Sequence, residues 1–157
     1  MRQIDEILHA HPFFAGFAPE HETLIAGCAR NHRFDAGRFL FHEGDAADEF
    51  FLIRHGRVAI EIAAPGRRPI VIETLGEGEI VGASWLVPPY RWTFDARALE
   101  TVRAIGIDAA CLRGKCDADH HLGYDMMQRF LPILVKRLHA ARMQMLDVYG
   151  PSSRAAG

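Results

Sequence analysis

Residues 57–85 read RVAIEIAAPGRRPIVIETLGEGEIVGASW. Three short apolar runs (57–63, 69–75 and 79–82) are separated by Pro65-Gly66 and by Gly76 and Gly78. Runs this short, rich in Ile and Val and closed by turn formers, read as strands in tight connections. The same texture extends both ways. Upstream are RFLF (38–41) and EFFLIR (49–54), punctuated by Gly37, Gly44-Asp45 and His55-Gly56; downstream are WTFDARA (92–98) and TVRAIGI (101–107). Residues 33–107 are therefore expected to form a mainly β unit of about eight strands, as a sandwich, jelly roll or small barrel.

The flanks are helical. Over residues 1–30, Ile4, Ile7 and Leu8 share one helix face. A turn at His11-Pro12 follows, and Pro19 sits in the first turn of a helix expected to run to about Arg30. Residues 117–149 are helical again, ahead of a tail, PSSRAAG, expected to fray. In that last helix Met127, Leu131, Leu134, Leu138, Ala141, Met145 and Val148 are spaced 4, 3, 4, 3, 4 and 3, the a/d seam of a coiled coil. A second apolar row, Phe130 and Ile133 with Val135, is confined to the first half. The helix is thus expected to dock on the β unit and then pair with a second copy, giving a homodimer. Packing of the whole seam on its own domain is the alternative. Pro132 should kink or restart the helix.

Composition bounds the rest. The chain has 157 residues, 49% hydrophobic and 24% charged, with a formal net charge of −2. That is the balance of one globular domain, residues 1–157. No stretch approaches the ~18 apolar residues of a membrane span, and the N-terminus lacks a signal-peptide apolar run. Three cysteines, Cys28, Cys111 and Cys116, form a sparse, odd set that suits a reducing cytoplasm. Near-neutral charge argues against a nucleic-acid binder, and Lys136, Arg137 and Arg142 read as a solvated helix face.

Chemistry-bearing clusters are sparse. His9 and His11 form the only His-x-His pair and lie in the helical N-terminal segment, while adjacent His120 and His121 would point apart. Cys111 and Cys116 lack the second pair of a closed zinc site, and three cysteines fall short of an iron–sulfur cluster. Ser84 follows Gly82-Ala83 without the Gly-x-Ser-x-Gly of a nucleophile elbow. Asp45, Asp48 and Glu49 read as loop-capping groups. No metal site, no catalytic residue and no enzyme is expected.

Several segments, in order, resemble the cyclic-nucleotide-binding domain of the Crp–Fnr regulators and kinase regulatory subunits. They are Pro12-Phe13-Phe14, Phe34-Asp35-Ala36-Gly37-Arg38 through Phe41-His42-Glu43-Gly44-Asp45, Phe50-Phe51-Leu52-Ile53 with Gly56-Arg57-Val58, Leu75 through Gly82, and Ala96-Arg97-Ala98. The resemblance implies a jelly roll with N-terminal helices and a long C-terminal dimerisation helix. It also implies a phosphate-binding cassette at Gly76–Gly82, with a short helix beginning near Ala83-Ser84-Trp85 whose backbone N–H groups face an anion. Ligand binding would then shift the C-terminal helix.

The cassette departs from the family pattern. Where the family has Glu after the glycine, accepting from a ribose hydroxyl, this chain has Ala83. Counted back from Arg97, the family's phosphate-binding Arg falls on Trp92, followed by Thr93. Arg91 lies one residue early, and strand alternation would turn it to the opposite face unless a bulge or loop adjustment brings it inward. Losing both charge-assisted contacts would cost roughly 3–6 kcal/mol, two to four decades of affinity, so the ordinary cAMP mode should be lost or altered. The candidate ligand-binding set is Gly82, Ala83, Ser84, Arg91, Trp92 and Thr93, with no cofactor beyond a cyclic nucleotide or other small anion. Two readings follow. Either the pocket takes another ligand, with Trp85, Trp92 and Tyr90 as stacking surface, or these aromatics fill it and the domain is a dimeric scaffold for an unknown protein partner. The family's transcription factors continue into a helix-turn-helix, whereas this chain ends nine residues after Val148, so direct DNA binding is not expected.

Overall fold

The computed structural model describes the backbone of residues 3–149 and the side chains of residues 3–147. Its helices are α1 (Ile4–Ala10), α2 (Pro19–Ala26), α3 (Ala109–Ala118) and α4 (His120–Tyr149). Its strands are β1 (Ala29–Phe34), β2 (Phe39–Phe41), β3 (Glu49–His55), β4 (Val58–Ile62), β5 (Ile70–Leu75), β6 (Ile80–Val81), β7 (Asp95–Ala98) and β8 (Val102–Asp108). They form two antiparallel sheets, ordered β1-β8-β3-β6 and β2-β7-β4-β5, face to face in a jelly roll. Register follows the apolar pattern: Phe50 pairs with Ile107 and Leu52 with Ile105 in one sheet, and Val58 with Leu75 in the other. β3 and β4 are buried on both faces over most of their length, which explains the apolar runs Phe50–Ile53 and Val58–Ile60; Glu61, buried in β4, accepts from Arg97 Nε at 2.7 Å.

The elements differ from the sequence reading in four places. α2 stops at Ala26 and not near Arg30, because Ala29–Phe34 pairs along its whole length with β8, from Ala29–Ile107 to Phe34–Val102. α3 starts at Ala109, ahead of the helical segment read from residue 117, with Asp108 as its N-cap accepting from the Cys111 N–H at 2.7 Å. The run 92–98 is a strand only over Asp95–Ala98. α4 runs unbroken through Pro132. The proline removes one backbone donor, but packing on both sides keeps the helix whole.

That packing uses Phe130 and Ile133 of the second apolar row but not Val135, and extends it toward the N-terminus. Leu122, Met126 and Phe130 are buried, with Ile133 packed beside them, whereas Val135 is exposed. Phe130 stands edge-on to Phe13, Phe50 and Trp85 at 5.3–5.5 Å between centroids, so the first half of α4 docks where the N-terminal helices meet the jelly roll. Cys28 and Cys111 are joined by a disulfide that ties the entry of β1 to α3. That bond removes the argument from three free thiols to a reducing compartment. The PSSRAAG tail lies outside the described residues.

Candidate functional site

A cavity of about 700 Å³ opens between the β2-β7-β4-β5 sheet, the segment 82–94 and α4. Its floor is Ile60, Ile72 and Leu75 from β4 and β5, and its lid side is Met127, Leu134 and Ala141 from α4. Gly82, Ala83, Ser84, Arg91 and Thr93 all line it.

The wall from 82 to 94 is built from the backbone upward. Gly82 has φ +99°, a conformation that glycine adopts without strain, and the chain then enters a single 3-10 turn, Ser84–Leu86. A turn this short carries little macrodipole, so charge at the cavity comes from side chains. Arg113 of α3 braces the connection that follows. Its Nη1 donates to the Trp85 carbonyl at 2.7 Å, and its guanidinium carbon lies 4.1 Å from the centroid of the Tyr90 ring. Tyr90 has φ +57°, and its carbonyl accepts from the Ala47 N–H at 2.7 Å.

Arg91 comes next and faces the cavity. Expected alternation does not carry back from β7, because residues 93 and 94 bend rather than continue the strand. The backbone is held instead by the turn at Gly44. Gly44 N–H donates to the Trp92 carbonyl at 2.8 Å, and Trp92 N–H donates to the Asp45 carbonyl at 2.9 Å. Arg91 Nη1 donates to the Gly44 carbonyl at 2.9 Å, leaving its other donors free of any ion pair among the described residues.

Trp92 takes the opposite course. It is 3% exposed, stacked on Phe41 at 3.7 Å between centroids, and does not line this cavity. The other two proposed stacking aromatics are also elsewhere. Trp85 is fully buried, stacked on Phe50, and Tyr90 is covered by Arg113. Trp85 and Trp92 are structural because each stacks on a phenylalanine inside the fold, and the Tyr90 ring is taken up by the Arg113 guanidinium. The aromatic side chain at the cavity is Phe94.

α4 contributes residues that periodicity had assigned to one dimer seam. Met127, Leu134 and Ala141 line the cavity, while Leu131, Leu138 and Met145 are exposed and do not. The Val148 side chain lies outside the described residues. Farther along, Gln144 Nε2 donates to the Ile72 carbonyl at 3.4 Å. Arg137 donates to the Ile80 carbonyl and lies 3.7 Å from Glu73. These cavity residues beyond the cassette belong to distant strands and a helix, and no local motif marks them.

Elsewhere, His21 is buried against Asp125 at 2.6 Å and stacks edge-on to His121. Among the described residues, no three His, Cys, Asp or Glu side chains converge as a metal site would require. No described helix is long and apolar enough to cross a membrane.

Comparison with known proteins follows the same lines. Residues 31–119 match the family model of the cyclic nucleotide-binding domain. The chain is 26% identical over 145 residues to the CRP-like cAMP-activated global transcriptional regulator of Mycobacterium tuberculosis, covering 92% of this chain and 63% of the regulator. It thus spans under two-thirds of that relative's length. Among solved structures, it is similar to a protein of Geobacter metallireducens GS-15 described as cyclic nucleotide-binding (TM-score 0.77, 29% identity, 88% of this chain and 100% of that one). A cyclic nucleotide-binding domain from Methylobacillus flagellatus KT shares the fold, with TM-score 0.76 and 21% identity over 92% of this chain and 82% of that one.

Proposed function

The chain belongs to the cyclic nucleotide-binding domain family, and on that premise we propose that it is a ligand-sensing regulatory module, not an enzyme. It binds a small anion in the cavity beneath α4 and makes no direct contact with DNA. One observation carries this reading. Arg91, with hydrogen-bonding capacity to spare, faces the same 700 Å³ space as Met127, Leu134 and Ala141 of α4. An occupant neutralised by Arg91 would also touch the helix, and a ligand shifts a helix only through contacts that differ between its two positions.

The helix is suited to pass that contact on. Cavity-lining Met127, Leu134 and Ala141 alternate along α4 with exposed Leu131, Leu138 and Met145. Homodimerisation through Leu131, Leu138 and Met145, part of the proposal, would place ligand and partner helix on adjacent stripes. The ordinary cAMP pose is weakened because Ala83 offers no side-chain acceptor for a ribose hydroxyl. The Cys28–Cys111 bond lends no support to a reducing compartment.

Thermal unfolding with cAMP, cGMP, other nucleotides and small organic anions tests the proposal. A ligand at 100 times its Kd adds about 2.7 kcal/mol, roughly 5–10 °C for a chain of this size. The shift should vanish in Arg91→Gln. No shift across the panel would favour the second reading, a ligand-free dimeric scaffold, for which the exposed Leu131, Val135 and Leu138 speak.

A further inference from the structure

The ionisable side chains that line the cavity are Glu73, Arg91 and Arg137. Glu73 and Arg137 lie 3.7 Å apart and cancel, and Arg137 is further engaged by the Ile80 carbonyl. Arg91 alone is left without a carboxylate among the described residues, so the cavity carries a single uncompensated positive charge at one edge.

The rest of the lining is hydrocarbon. Ile72, Val87, Met127 and Leu134 approach from β5, the 87–90 connection and α4, and all four are exposed large apolar side chains. Exposed apolar groups clustered round a concavity mark a surface awaiting an apolar partner. Polar groups are few. Gln144 is engaged with the Ile72 carbonyl and Glu73 faces Arg137, which leaves Arg91 and the Ser84 and Thr93 hydroxyls as the other polar side chains of the lining. A nucleotide brings a sugar hydroxyl and a polar base, and burying those without partners is costly.

Resting on the ligand-sensing reading above, we infer that the occupant is an amphipathic monoanion: one carboxylate on an apolar body. The head is held by Arg91, a planar fork suited to carboxylate, with Ser84 and Thr93 at its side. The body lies along Ile72, Val87, Leu134 and Met127, covering apolar surface now facing water. Its length reaches α4, so occupancy is read by the helix through hydrocarbon contact.

The test is calorimetric titration of the full chain with decanoate, decanol, acetate and cAMP, repeated on Arg91→Gln and Val87→Ser. Decanol keeps the body without the charge, and acetate keeps the charge with almost no body. Decanoate should bind at least about tenfold more tightly than either, as a charge-assisted Arg contact predicts. Arg91→Gln should reduce decanoate to the level of decanol, and Val87→Ser, at a residue 63% exposed and outside the core, should weaken it several-fold. Decanol binding as well as decanoate would overturn the anionic head. Decanoate binding untouched by both substitutions would place it elsewhere and overturn the assignment. Tighter binding of cAMP, lost in Arg91→Gln, would overturn the ligand class while leaving the sensing cavity intact. Failure of all four probes would remove both.

Discussion

The Trp92 indole occupies the space that a side chain on Gly82 would need: a Cβ there would lie 2.3 Å from two ring carbons. Trp92 therefore backs the cavity wall from inside the fold while Arg91, its neighbour, lines the cavity. Gly82→Ala meets both this ring and a φ of +99°, and the loss should be about 2–5 kcal/mol. Urea unfolding measures it. A change below ~0.5 kcal/mol would mean that the ring does not sit behind the turn.

Arg113 joins α3 to that wall by its bond to the Trp85 carbonyl and its position over Tyr90. Arg113→Met keeps the aliphatic stem and removes both contacts. Stability should fall by about 1–3 kcal/mol. Any anion-induced thermal shift should fall too, since the 84–90 connection loses its brace. Unchanged stability with unchanged ligand response would show the contact to be idle.

How far the sequence speaks for this molecule depends on range. Strands β3 and β4 are legible because both faces are buried and their apolar runs close at glycines. β1 is not, since Ala29–Phe34 carries Arg30, Asn31, His32 and Arg33, and pairing with β8 alone makes it a strand. The cassette glycines and the 91–93 segment are local and can be singled out. The orientation of Arg91 cannot, because a bend at 93–94 and the Gly44 turn, some 47 residues upstream, decide it. The heptad spacing of α4 is real, yet it cannot separate Met127, Leu134 and Ala141, which line the cavity, from Leu131, Leu138 and Met145, which do not. At 3.6 residues per turn, positions three and four apart lie only ~40–60° from each other, so both rows look like one seam on paper.

The Cys28–Cys111 bond closes 83 residues of chain. Cross-linking so long a loop restricts the unfolded chain, and its loss should cost about 2–5 kcal/mol. The double variant Cys28→Ala/Cys111→Ala, compared with the oxidised protein by urea unfolding, reads this directly. Cys116 serves as the internal control. Burial first, then nearby Asp117 and Asp119, raises its thiol above the ordinary range, so thiol-specific labelling of the oxidised chain near pH 7 should be slow. Equal stability of the oxidised chain and the variant would refute a structural role for the bond.

His11 makes stability depend on pH. Burial, outweighing its bond to Ile53 and aided by Arg54, lowers its pKa from 6.5. The geometry agrees with a neutral ring, with Nε2–H donating to the Ile53 carbonyl at 3.1 Å and Nδ1 accepting from Phe13 N–H at 3.2 Å. Protonation would put a hydrogen on Nδ1 and break the second bond. The unfolded chain takes the proton first, so this contribution is complete above pH 6.5 and is lost as pH falls through the lower folded value. Urea midpoints between pH 5 and 8 should fall on the acid side, and His11→Gln should flatten that part of the profile. An identical acid slope in the variant would assign the dependence to other groups.

Leu138 and Leu134 separate partner contact from ligand contact on one helix. Leu138 is 51% exposed and off the cavity, whereas Leu134 lines it. If α4 pairs with its copy through the outer row, Leu138→Asp should turn a dimer into a monomer in sedimentation, because two facing carboxylates cannot replace an apolar contact. Monomer stability should stay within about 0.5 kcal/mol, as an exposed surface change allows. Leu134→Asp should instead weaken anion binding by placing a negative charge on the cavity wall, with a smaller effect on mass. A wild-type chain that is monomeric at every concentration would remove the dimer. A Leu138→Asp chain that stays dimeric would move the interface off this row.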